Sequence, residues 1–99
     1  MRVIAIGTLK KFWEKPQYAD AEQNLRAWYA EVRKASWKNS NDVKKMYTTS
    51  SIVGNNRIVF NIKGNKYRLI VAVDYSFQII FIRFIGTHIE YDKIDAKTI

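Results

Sequence analysis

The chain has no cysteine and one histidine, and only one proline and four glycines in 99 residues. Without thiols there are no disulfides and no thiolate metal sites. A lone histidine leaves no basis for a zinc centre, and it rules out an acid–base pair of two imidazoles within one chain. No apolar run approaches the ~20 residues needed to span a bilayer. Gly64 and Gly86 stand alone, so no glycine-rich phosphate loop exists. The scattered serines lack an ordered base and orienter for a hydrolase triad. Met1–Ile6 reaches Lys10 and Lys11 too soon for a signal peptide, and the expected location is cytoplasmic. Acids are scarce as well: nine Asp and Glu stand against seventeen Lys and Arg, a formal charge of +8. Such a chain attracts polyanions, either nucleic acid or an acidic protein.

What remains is enough for one domain over residues 1–99. Residues 2–6 read as a short strand. Thr8 is placed to cap a brief helix over Leu9–Lys15, which Pro16 ends. Asp20 and Gln23 have capping-box spacing ahead of a clear amphipathic helix. Its apolar face is Ala21, Leu25, Trp28, Val32 and Ala35. Asn39–Asp42 is a polar break that caps a second short helix carrying Val43, Met46 and Tyr47. From Ser51 the period becomes two. Arg57–Ile62, Lys66–Tyr75 and Ile79–Ile85 are strands, separated by turns at 54–56, 63–65 and 76–78. The expected architecture is α+β: an antiparallel sheet of four to five strands with two to three helices on one face. Trp13, Trp28 and Trp37 are expected to pack the core.

Alternation assigns faces. On the long strand Tyr67, Leu69, Val71, Val73 and Tyr75 share one side, and Lys66, Arg68, Ile70, Ala72 and Asp74 the other. On the last strand Ile79, Phe81, Arg83 and Ile85 oppose Ile80, Ile82 and Phe84. Arg68 and Arg83 therefore interrupt apolar rows and need anions. Asp74 or Glu90 would satisfy them internally, and a phosphate externally, since the guanidinium fork binds phosphate bidentately. The last strand then delivers His88 among Thr87, Glu90, Tyr91, Asp92 and Lys93. If the chain turns helical there, His88 meets Tyr91. If it stays extended, His88 meets Glu90. Either pair can exchange protons with a substrate such as an RNA backbone.

Three stretches carry a family resemblance: Asp20–Gln23 with Leu25–Tyr29, Val59–Leu69, and Phe81–Asp95. Together they resemble the HigB-type toxins of bacterial toxin–antitoxin modules, in the RelE-like superfamily. The resemblance implies a small sheet with N-terminal helices packed on it. It implies an mRNA interferase, a metal- and cofactor-independent endoribonuclease that halts translation, often on the ribosome. It also implies a helix-turn-helix antitoxin of the HigA type. Carried over position by position, the catalytic set is Arg68, Arg83, His88 and Tyr91. Asn61, Lys63, Lys66 and Lys93 would hold the RNA. The competing reading is a basic module that binds RNA or protein without cutting.

Overall fold

The period-two half of the chain forms a sheet in the computed structural model, which describes residues 1–99. Five strands, β1 (Arg2–Ile4), β2 (Ser51–Val53), β3 (Arg57–Ile62), β4 (Tyr67–Asp74) and β5 (Ile79–Thr87), lie in the order β1-β5-β4-β3-β2. β2 to β5 make the expected antiparallel meander. β1 instead runs parallel to β5, with Arg2 opposite Ile79 and Ile4 opposite Phe81. The sheet is thus mixed rather than wholly antiparallel. Parallel neighbours need a long connection between them, and β1 is separated from the meander by the helical half of the chain.

That half comprises α1 (Ile6–Trp13), a 3-10 segment (Pro16–Ala21), α2 (Glu22–Lys34) and α3 (Ser40–Met46). α1 starts earlier than Thr8, behind Ala5 at φ 74°. Asp20 forms no capping box. It lies inside the 3-10 segment, which runs directly into α2. Asn39 does cap α3, accepting from the Asn41 and Asp42 amides. The helices bury Leu9, Leu25, Trp28, Val32 and Val43 against Phe60, Leu69, Val71 and Ile80. All three tryptophans lie in or beside this core as expected, each under 8% exposed.

The second face of the sheet is also partly covered. A four-residue helix, α4 (His88–Tyr91), leads into a C-terminal segment. Ile94, Ala96 and Ile99 of that segment pack with Val59, Ile70 and Phe84. This arrangement depends on a bulge. Ile70 pairs with Phe84 but Val71 pairs with Ile82, leaving Arg83 as the extra residue. A bulge breaks strict alternation. Phe84 therefore turns to the second face and Ile85 to the helix-covered face, the reverse of the simple pattern.

Candidate functional site

Register alone builds the centre of the site. On the second face Asn61 lies directly opposite Arg68, and Arg68 directly opposite Gly86. These three neighbours on adjacent strands place an amide, a guanidinium and a bare backbone in one row across the sheet. α4 then starts immediately after β5. Thr87 caps it by accepting from the Glu90 amide at 3.2 Å, while Glu90 Oε1 accepts from the Thr87 amide at 2.9 Å. The His88 amide donates to Lys66 O at 3.3 Å, tying the helix start to the start of β4. The helical alternative for the tail is the one realised. Tyr91 swings over the sheet, and the Arg68 guanidinium lies 5.9 Å from its ring centroid, within cation–π range.

Gly86 makes this closeness possible. A Cβ there would come within 2.5 Å of Phe84 Cζ and 3.1 Å of Glu90 Oε1. The absence of a side chain lets Phe84 and the capping carboxylate close over β5 beside Arg68.

The strand arginines have no side-chain carboxylate partner. Arg68 donates only to carbonyls, Asn65 O at 2.9 Å and Tyr67 O at 3.4 Å. The acids that could have neutralised the strand arginines are used elsewhere. Asp74 accepts from the Phe77 amide in the β4–β5 turn, and Glu90 caps α4. The chain has three ion pairs, Arg26–Glu22, Lys66–Asp20 and His88–Asp92, and neither Arg68 nor Arg83 belongs to one. No Asp or Glu side chain thus neutralises either arginine.

The structure brings Asn61, Arg68, His88 and Tyr91 to one end of the sheet. Lys93 follows α4 and is exposed. Arg83 is farther away, three residues or about 10 Å of strand from Gly86. Its Nε donates to Ile99 O at 3.2 Å. Arg57 donates to the same oxygen at 2.9 Å, so the C-terminal segment holds both guanidiniums. Lys66 does not join Arg68. Its ammonium pairs with Asp20, which also accepts from the Tyr67 hydroxyl at 2.5 Å. These two donors, Lys66 first, hold the Asp20 carboxyl below its ordinary range, and the same pairing raises the Lys66 ammonium. Lys63 is turned toward α2 and the Asp20 side of the hairpin.

One partner escaped the sequence reading. Asp92 Oδ2 lies 3.5 Å from His88 Nδ1, with both side chains about half exposed. The signal was present as i, i+4 spacing on a helix, but a four-residue helix gives little periodicity to read. No group of three or more His, Cys, Asp or Glu side chains is gathered as a metal site would require.

Comparison with known families decides the assignment. Residues 21–94 match the family model for HigB_toxin, described as the RelE-like toxic component of a toxin-antitoxin system. The chain belongs to the HigB toxin family. The matched span holds the whole row Asn61–Arg68–Gly86 and all of α4. A search of curated proteins returned no match. Membership makes the chain the toxic half of a pair whose other half is an antitoxin. No helix is long and apolar enough to cross a membrane.

Proposed function

We propose that this HigB-family chain is an endoribonuclease that cuts mRNA without a metal ion and so stops protein synthesis. The observation that carries the proposal is the Arg68 guanidinium 5.9 Å from the Tyr91 ring, with His88 three residues earlier on the same helix and no side-chain carboxylate to neutralise the arginine. Cleavage of an RNA backbone needs a group to take the 2′-hydroxyl proton and another to protonate the leaving 5′-oxygen. It also needs positive charge on the phosphate as negative charge builds there. His88 and Tyr91 share the two proton transfers, and Arg68 holds the scissile phosphate. Arg83, farther along the same face, takes a neighbouring phosphate once its hydrogen bond to Ile99 is released. Asn61 and Lys93 bind the RNA strand beside Arg68, while Lys66, paired with Asp20, and Lys63, turned toward α2, stand apart from it. The antitoxin is of the HigA type, a helix-turn-helix protein, and the ribosome presents the mRNA.

The test is expression without antitoxin, followed by mapping of RNA ends with and without ribosomes. Growth should stop, with cuts inside coding sequence that persist in EDTA and depend on translation. His88→Ala, Tyr91→Phe and Arg68→Ala should each lower cleavage by ~10²-fold or more while the chain stays folded. Growth arrest that survives all three substitutions would show that the cluster is not catalytic and would favour a non-cutting basic module.

A further inference from the structure

Arg57 belongs neither to the core nor to the cluster around Arg68. It starts β3 opposite Ala72 on β4, and Ala72 lies opposite Phe81, two residues before Arg83. Arg57 and Arg83 thus stand on the two strands that flank β4. Both reach one point: Arg57 Nη2 donates to Ile99 O at 2.9 Å, and Arg83 Nε to the same oxygen at 3.2 Å. The small side chain of Ala72 leaves the two guanidiniums room to meet there. Like charges this close repel, and together they carry more N–H groups than one oxygen can accept. Arg57 Nη1 finds Asn55 O at 3.1 Å, but Arg57 Nε is buried without an acceptor. No Asp or Glu side chain pairs with either residue. Buried donors are nearly always paired, so the point where these arginines meet calls for an anion with several oxygens.

The segment that fills this point is lightly held. Residues 92–99 form main-chain hydrogen bonds only within the stretch 88–99, and none to the sheet. Besides the two arginines, Asn55 Nδ2 holds Lys97 O at 2.9 Å, and Ile94, Ala96 and Ile99 make apolar contacts. Lys97 and Thr98 are exposed. A segment with no ladder bonds opens at less cost than a strand of the sheet.

We propose that Arg57 and Arg83 form a second anion site, for a phosphodiester of an RNA strand. Ile99 O fills it in the free chain and leaves it when the strand binds. A phosphodiester carries charged oxygens on a tetrahedral centre, enough to take both guanidiniums with Arg57 Nε included. Arg57 lies four residues of β3, about 13 Å, from Asn61 in the Arg68 row. One phosphate cannot reach both places, so the ligand is a strand lying along the face. The inference rests on the reading of this face as RNA-binding, but it does not require cleavage.

A 2′-O-methyl oligoribonucleotide has no hydroxyl to attack, so its binding is read apart from cleavage. By titration calorimetry, Arg57→Met should raise the dissociation constant at least about tenfold. The slope of log affinity against log salt should shrink by about 0.7, one phosphate contact on a single strand. Ala96 is 8% exposed against Val59 and Ile70, so Ala96→Gln crowds the segment off the sheet. With the competing oxygen loosened, its dissociation constant should fall about threefold or more. In the ¹⁵N-labelled parent chain, order parameters of the Thr98 and Ile99 amides should drop below about 0.6 when the oligonucleotide saturates. Inorganic phosphate alone should leave them unchanged. Parental affinity and salt slope in Arg57→Met, unchanged affinity in Ala96→Gln, or Thr98 and Ile99 amides that stay ordered in the saturated complex each overturn the proposal. So does release of these amides by inorganic phosphate, which would assign the site to the free ion. A parent chain that cuts no RNA yet binds the oligonucleotide through Arg57 would support this site and sink the cleavage reading alone.

Discussion

Gly86 shows how one residue governs the site. Its missing side chain is filled by the Phe84 ring and approached by the Glu90 carboxylate. Gly86→Ala forces one of them to move, and overpacking of this kind costs about 1–3 kcal/mol. Urea denaturation should show that loss, and cleavage should fall with it because Gly86 faces Arg68 across the ladder. Glu90 is a counter-example to reading chemistry from residue type. It looked like a partner for His88, yet it caps the helix that carries His88. Arg68, by contrast, could be picked out from the sequence, because a guanidinium in an apolar row has few explanations. Asp74 and Glu90 were its plausible internal partners, and only the fold shows both occupied.

At the scale of elements, α4 and the β5 bulge decide which groups meet. A four-residue helix has no stability of its own, since nucleation is unfavourable and few internal bonds follow. The reciprocal Thr87–Glu90 cap is therefore its main local support. Thr87→Ala should cost about 1 kcal/mol. Amide exchange at Glu90 and Tyr91 should quicken, cleavage should drop, and global melting should shift little. Exchange unchanged at these amides would mean that packing of Tyr91, not the cap, holds α4. The boundaries of β3, the start of α3 and most of α2 were legible from period and polar breaks, whereas Tyr47, expected on α3, lies just past its end. The bulge at Arg83 was not. An extra residue leaves the hydrophobic composition of a strand intact, and only pairing with β4 reveals that Phe84 and Ile85 have exchanged faces.

For the whole molecule, the Asp20–Lys66–Tyr67 cluster joins the helical half to the β3–β4 hairpin. Its pH dependence has a definite sign. The Asp20 carboxyl is lowered from 3.8, so its contribution is present above that value and lost as pH falls through the folded value. The Lys66 ammonium is raised from 10.5, chiefly by the bond to Asp20. Burial, then the bond to Asp20, raises the Tyr67 phenol from 10.0. Both contributions are complete below those values and fade as pH rises through the folded ones. Stability from this cluster should thus hold between about pH 4 and 10 and fall on either side. Asp20→Asn should lower the urea midpoint at pH 7 and reduce the acid-side decline. A variant whose midpoint tracks the parent chain at every pH would show that the cluster adds nothing to stability. The sequence offered Asp20 as a helix cap because Asp-x-x-Gln spacing fits one. The tertiary contact with Lys66 and Tyr67, more than forty residues away, claimed it instead.

Composition and periodicity were sufficient for the α+β class, the helix-covered meander and the cationic character, and three stretches of sequence carried the family likeness. These are local or additive properties, readable wherever side chains alternate or charges are counted. The parallel placement of β1, the bulge, the separation of Arg83 from Arg68, the diversion of Lys66 and the meeting of Arg57 with Arg83 came only from the assembled sheet. Each depends on which strand lies beside which and in what register, and register is set by contacts between residues far apart in the chain.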